Sequence, residues 1–336
     1  MGYSLTKIAQ ELGLSKATIS LVLSGKAHHA RISEELEQKI KKFCEKVNYV
    51  PNIHAQRINQ KYVKTIGFLI NRSVKIDIDN PFADSNISGI TGGIVLAAEA
   101  VDYRVSIQLY NPEMNENKVF DWLRNHEIDG LIYYGLNIPD EWRKTFIEEK
   151  RHVVGIGIEP DSKIASVNVD NFDASAKLTK YLIKQGRKDF LYVAGIQDSY
   201  VAIERQNGFL TALKEYSFNM IVDNFIVADY SEAIAEEKMF KAVPDVDAIV
   251  CSNDDMAIGV LKALKRHNID VPKQIAVVGA DNINIGEYFC PSLTTFDNKP
   301  KELGEVAFKT LIKMIKGGKP KNTVIPSELI IRESSK

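Results

Sequence analysis

At 336 residues, 45% hydrophobic and 26% charged, the chain is long for one compact core and has the composition of two or three soluble folding units. It contains no run near the roughly 18 apolar residues of a membrane span, no apolar export segment in "MGYSLTKIAQELG", and only Thr6 of the myristoylation pattern after Met-Gly. The net charge of −1 hides an asymmetry: residues 1–64 hold 11 Lys/Arg against 5 Glu (+6), and the rest holds 32 basic against 39 acidic residues (−7). A small basic head on an acidic body points to a polyanion partner for the head alone, against the plainer reading of a solvated charged helix face.

The first helix is predicted from the cap Ser4 to about Leu12, with Ile8 and Leu12 on one face and Gly13 ending it. Ser15 caps a second helix after a turn of only a few residues, so the two must cross steeply, as in a helix-turn-helix. Ile19, Val22 and Leu23 face a small core. Lys16, Ala17, Ser20 and Leu21 are left on the outer face, the one that enters a major groove in such motifs. Short hydroxyl and methyl groups reach base edges or a thymine methyl, and Lys16 reaches guanine or phosphate. Ser33, with Glu34 and Glu35 at the positive end of the dipole, opens a third helix along Leu36, Ile40, Phe43 and Val47. A generic three-helix bundle stands beside this reading. In "NYVPNIHAQRINQK", Pro51 stops a helix and Asn52 caps a short one, Ile53 to Asn59, which is too short to form without a twin helix or DNA. Its Ala55 and Ile58 lie three apart, able to meet a twin and wedge into a minor groove.

From Thr65 onward, short apolar strands alternate with amphipathic helices. "TIGFLI", "RVSIQL", "GLIYY" and "HVVGIGI" are separated by helical stretches near 84–101, 115–126 and 140–149. "DFLYVAG", "DAIVCS" and "IAVVGA" repeat the pattern. Such alternation means parallel sheets covered on both faces, in two lobes, with ligands at the carboxyl ends of the strands. Asn80 and Phe82 of "NPF" stand before the opening helix of the first lobe. Asp170 follows "SVNV", Asn253 and Asp254 follow "AIVCS", Asp281 follows "AVVGA", Arg205 lies in "ERQNGF", and Tyr230 ends "FIVADY". A ring of carboxylate, amide and guanidinium groups with an aromatic wall suits a small polyhydroxylated ligand. Singly, each has a plainer role: Asp170 and Asp254 as helix caps, Arg205 in a structural ion pair, Tyr230 in a core, Asn80 in a turn. Gly89, Gly92 and Gly93 fit tight helix packing.

The chain has no G-x-S-x-G elbow, Walker loop, H-E-x-x-H or Cys/His metal cluster, so neither an enzyme nor a metal or cofactor site is expected. Cys44, Cys251 and Cys290 are isolated thiols that fit a reducing cytoplasm. The sequon Asn86-Ile87-Ser88 has no meaning there.

The motifs "KIAQELGLSKATIS", "RIS" at 31–33 and "NYVPN" at 48–52 resemble the head of the lac repressor/galactose repressor (LacI/GalR) family of bacterial transcription regulators. "VNVDN", "ERQNGF", "SNDDMAIG", "VVGADN", "PSLTTF" and "IIRES" continue the resemblance in order along the body. It implies a small all-α helix-turn-helix head and a periplasmic-binding-protein-like α/β body of two doubly wound parallel-sheet lobes. The implied division is a DNA-binding domain 1–50, a hinge helix and linker 51–63, and an effector-binding and dimerisation domain 64–336. Its lobes would be about 64–160 plus 293–320 and 161–292 plus 321–336, with crossings near 160, 292 and 320.

The implied DNA contacts are Ser4, Thr6, Ser15, Lys16, Ala17, Thr18, Ser20, Leu21, Asn52, Ala55 and Ile58. Lys16 and Ala17 take the main specificity positions, and Ile58 stands where an intercalating leucine is usual. The implied effector contacts are Asn80, Phe82, Asp170, Arg205, Tyr230, Asn253 and Asp281. Four features depart from the family pattern: Leu21 in place of a frequent arginine, a longer "SGKAHHARIS" loop, a longer and more acidic "NRSVKIDIDNPF", and Arg187 in place of a histidine. The function implied is a cytoplasmic, homodimeric regulator, a repressor of near-palindromic double-stranded operator DNA, controlled by a sugar or sugar derivative between the lobes. The alternatives are a regulator responding to a partner protein or nucleobase, and a sugar-binding receptor.

Overall fold

The computed structural model describes residues 3–25, 27–49, 62–71, 80–110, 117–218 and 225–336, and the chain divides into two compact units, Met1–Val63 and Lys64–Lys336. In the first unit, helices α1 (Leu5–Leu12), α2 (Lys16–Leu23) and α3 (Glu34–Lys46) each start at a serine that turns its hydroxyl onto the first turn. Ser4, Ser15 and Ser33 accept from the amides of Lys7, Thr18 and Leu36, satisfying donors a helix start leaves open. Gly13 ends α1 at φ +66°, a left-handed cap that suits glycine. The core is Ile8, Ile19 and Ile40, all fully buried, with Val22, Ala27 and Cys44 around them. The short helix expected at 53–59, with Asn52, Ala55 and Ile58, lies outside the described residues.

The second unit is built on two parallel sheets. Six strands form the first: β1 (Thr65–Asn71), β2 (Arg104–Tyr110), β3 (Leu131–Tyr134), β4 (Val153–Ile156), β5 (Ala165–Val169) and β11 (Thr323–Ile325), in the order β11-β5-β4-β3-β1-β2. The second holds β6 (Phe190–Ala194), β7 (Phe225–Val227), β8 (Ala248–Cys251) and β9 (Ala276–Val278), in the order β7-β6-β8-β9. A two-stranded antiparallel pair joins β10 (Thr295–Phe296) to β12 (Leu329–Ile330). All seven residues of β1 are buried, as a central parallel strand covered on both faces requires. Trp142, Phe120 and Phe146 pack edge-on over the first sheet. Separate clusters cover the two faces of the second.

The chain crosses between lobes later than the sequence implied. The crossings expected near 160 and 320 fall after Val169 and Ile325, because β5 and β11 pair within the first sheet, Thr323 against Val167. The one expected near 292 falls after Phe296, because β10 pairs with β12 and Thr294 bridges to Val278 of β9. Long-range pairing decides this, and no local pattern announces it. Helix Pro300–Ile315 therefore packs on helix Ser85–Glu99 in the first lobe. Glycine sets how closely they approach: a Cβ on Gly93 would lie 2.0 Å from the Lys301 carbonyl oxygen, and one on Gly304 2.2 Å from that of Ile90. Gly89 abuts Pro300, and Gly92 points into open space.

Candidate functional site

The head presents one candidate surface. Lys16 and Ala17, in the first turn of α2, are exposed, as are Ser4, Thr6 and Ser15, while Thr18, Ser20 and Leu21 are half-buried. Opposite them, Ile19 and Val22 are locked in the core, so the helix cannot rotate without exposing apolar surface. Ser15 and Thr18 share a 2.8 Å hydroxyl–hydroxyl hydrogen bond at the helix start. The first turn of α2 thus offers small polar groups, one methyl and one ammonium at the positive end of a helix dipole, the chemistry suited to phosphate and base edges.

The second site lies in the body, where both lobes line a cavity of about 180 Å³. At its base, Arg205 on helix Tyr200–Glu215 is only 2% exposed. Its Nε donates to Asn171 Oδ1 at 2.8 Å, one terminal nitrogen to the Ser252 carbonyl at 2.6 Å, and the other to Asp281 Oδ1 at 2.7 Å. The guanidinium also lies 5.1 Å from the centroid of Phe296. Three of its five N–H groups are thus engaged, leaving two. Burial works against the Arg205 charge, but Asp281 first among its neighbours holds its pKa above the ordinary value. Burial raises the Asp281 carboxyl, with Arg205 pulling the other way. The Asp281 backbone sits at φ +110°, a rare conformation for a non-glycine residue. Its segment is pinned by buried Asp254, which accepts from the Ile283 amide and the Thr295 hydroxyl.

Asn86, in the first turn of helix Ser85–Glu99, connects the lobes. Its Nδ2 donates to Asp281 Oδ2 at 3.1 Å and its Oδ1 accepts from Asn298 at 2.8 Å. Tyr230, at φ +63°, lays its ring across Gly195, where a Cβ would meet Tyr230 Cε1 at 2.4 Å. Its buried hydroxyl makes no well-formed hydrogen bond among the described residues. Asn253 caps helix Asp254–Arg266 by accepting from the Met256 amide, and its Nδ2 donates to Asp255 Oδ2 at 3.4 Å.

Of the seven residues the sequence nominated, Arg205, Tyr230, Asn253 and Asp281 line the cavity; Asn80, Phe82 and Asp170 do not. Asp170 caps helix Asn171–Lys184, accepting from the Asp173 amide at 3.0 Å, and the neighbouring Asn171 faces the cavity instead. Asn80 holds its turn by accepting from the Phe82 amide, and the Phe82 side chain is 42% exposed. Sequence reasoning passed over Asp84, Asn86, Tyr134, Asn171, Asp255 and Asn298. The rule about strand carboxyl ends pointed at most of these segments. Which residue of a helix's first turn faces inward is set by helix rotation, which that rule does not give.

Asp84 and Asp255 change the electrostatics. Asp84 caps helix Ser85–Glu99 through the Ile87 amide, and burial, then Asp281, raises its carboxyl above the usual range. Asp255 lines the same cavity but is solvent-exposed. The surrounding walls, then the charges of Asp281, Asp84 and Glu232, push it up to about 7.

Comparison with known proteins places the chain. Residues 4–52 match the family described as bacterial regulatory proteins, lacI family, and residues 179–335 match a periplasmic binding protein-like domain. The HTH-type transcriptional regulator RegA of Clostridium saccharobutylicum is 30% identical, with all of both chains covered. The chain belongs to the lacI family. It is a DNA-binding transcriptional regulator with a helix-turn-helix head and a periplasmic-binding-protein-like body of parallel sheets. Two solved structures share this fold. The lac repressor dimer bound to operator and the anti-inducer ONPF superposes with a TM-score of 0.85 at 20% identity, covering 100% of this chain and 99% of that one. The CelR–cellobiose complex gives 0.74 at 22%, covering 99% of both. Among the described residues of this lacI-family chain, no helix is long and apolar enough to cross a membrane, and no cluster of His, Cys, Asp and Glu could hold a metal.

Proposed function

We propose that this lacI-family chain is a homodimeric, non-enzymatic repressor, acting in the cytoplasm, whose operator affinity is set by a small carbohydrate-class effector in the body cavity. Residues 1–50 read the operator, with Lys16 and Ala17 choosing the sequence. Residues 51–63 couple head and body, and 64–336 bind effector and dimerise. The observation that carries the reading is the chain of side chains Asn298–Asn86–Asp281–Arg205, which runs from one lobe to the other along the cavity that both lobes line. A ligand shifts a conformational equilibrium only by binding one arrangement better than another. Groups from two lobes that meet on one molecule supply that difference. Cellobiose in the CelR complex supports the ligand class, and the apolar walls Tyr134, Leu136 and Ile156 suit the apolar face of a sugar ring.

The test has two arms. Fluorescence anisotropy on an operator selected from random DNA should show affinity that falls steeply with salt, because the basic head displaces counterions, and a fragment lacking residues 1–63 should not bind. A thermal-shift screen of sugars, sugar derivatives and nucleobases should find a compound that raises Tm and changes operator affinity. Specific DNA binding by the headless fragment refutes the assignment of the head. A stabilising compound that leaves operator affinity unchanged refutes the control mechanism.

A further inference from the structure

Among the described residues that line it, the cavity holds more carboxylates than cationic groups. Arg205 is the only guanidinium or ammonium group among its described lining residues, and it is paired with Asp281 at 2.7 Å. Asp84 from the first lobe and Asp255 from the second share the same space. Among the described residues neither is balanced by a cation there: Asp84 accepts from the backbone amide of Ile87, and Asp255 accepts from Asn253 Nδ2 at 3.4 Å. Burial, then the charge of Asp281, raises both carboxyls above the usual range, and Asp84 adds to the effect on Asp255. Ionising both acids therefore sets like charges on opposing walls, a repulsive arrangement in a partly desolvated space.

We infer that the effector is a small hydroxylated ring bearing an ammonium group, an amino sugar in chemical class, with its nitrogen held between Asp84 and Asp255. The inference rests on the proposed reading of the cavity as the effector site. Hydroxyls remain for Asn253, Asn171, the Tyr230 hydroxyl and the two free N–H groups of Arg205. A cation bridging carboxylates on two lobes binds the closed arrangement better than any arrangement that separates them, so one group supplies both the grip and the shift in equilibrium. A neutral polyol leaves the two acids opposed. A sugar phosphate or sugar acid brings a further negative charge against them, with no unpaired cation among the described lining residues to receive it. The volume of about 180 Å³ lies below the roughly 300–1,000 Å³ of sites for drug-sized ligands, which favours a single ring.

The experiment titrates the full-length chain by calorimetry and thermal shift with matched sets: hexoses and ring polyols, their amino-deoxy forms, N-acetylated forms and 6-phosphates. In at least one set the amine should bind tenfold or more tightly than its hydroxyl parent, with the acetylated and phosphorylated members weaker still. Asp84→Asn, which keeps a capping side chain, and Asp255→Asn should each bring the amine-to-parent ratio toward one. Asp173→Asn, at an exposed ion pair with Lys177, should preserve it. A hydroxyl or phosphate member that binds as tightly as its amine overturns the ammonium assignment and leaves the carbohydrate reading standing. Stabilisation by no member of any set overturns both.

Discussion

Replacing Arg205 with alanine isolates the most consequential contact in the body. The wild-type side chain is 2% exposed and donates to Asn171, to the Ser252 carbonyl and to Asp281. Removing it leaves a buried carboxylate with Asn86 as its remaining side-chain donor. Breaking a buried ion pair from one side costs about 3–5 kcal/mol, and the two other acceptors lose about 1 kcal/mol each at most if water replaces the donor. A loss of about 4 kcal/mol corresponds to a fall in Tm on the order of 10 °C for a body of this size. Both tryptophans, Trp122 and Trp142, lie buried in the body, so their fluorescence during urea unfolding reports this unit and not the head. The sign with pH follows from Asp281. Its folded-state pKa is already raised by burial and rises further without Arg205, so the folded state holds a proton that the unfolded state has released. The penalty is therefore smallest at acid pH and grows as pH rises through the folded pKa. Asp281→Asn in the Arg205→Ala background should recover a substantial part of the loss, because it removes the stranded charge. A penalty below about 1 kcal/mol, one independent of pH, or one that Asp281→Asn leaves untouched would refute the account of Arg205 and Asp281 as a coupled buried pair.

Gly93→Ala should destabilise the body by about 1–3 kcal/mol or more, since its Cβ would sit 2.0 Å from the Lys301 carbonyl oxygen and helix backbones yield little. Gly92→Ala, with nothing within 4 Å, should be neutral or stabilising by up to about 1 kcal/mol, and thermal melts of the pair separate packing from helix propensity. Wild-type stability should decline between about pH 4 and about 7, in part through Asp255, whose raised pKa makes the folded state bind more proton there than the unfolded state; Asp255→Asn should lessen that slope in urea melts across the range. Ser15→Ala should cost the head about 1 kcal/mol and weaken binding to all operators. Lys16→Ala should instead change the sequence recovered by selection from random DNA, because base contacts specify and phosphate contacts position.

What was legible in the sequence was local. Ser4, Ser15 and Ser33 cap helices because a serine hydroxyl meets an amide three residues on, a relation contained in a short stretch of chain. The apolar runs at 65–70, 131–134 and 190–194 form parallel strands because no amphipathic alternative fits them. Gly89 and Gly93 were readable as packing residues, although only coordinates separate them from Gly92, one position away on the same helix. Two of the crossings were misplaced because β5 finds β11 across more than half the body, a pairing that leaves no trace in either segment. The cavity fell between these cases. Arg205, Tyr230, Asn253 and Asp281 were found because they follow strands or lie near a helix start at the right ends of the sheets. Asp84 and Asp255 occupy the same kind of position, yet an acid in the first turn of a helix is fully explained by capping and the dipole. Nothing local distinguishes such an acid from one that also faces a ligand. The difference is that helices Ser85–Glu99 and Asp254–Arg266, one from each lobe, aim their N-termini into one cavity already holding Asp281. A capping carboxylate needs no second acid opposite it. Two that meet across a cleft, each with its pKa raised by the same third carboxylate, carry a cost that capping alone does not require, and a bound cation is the simplest chemistry that removes it.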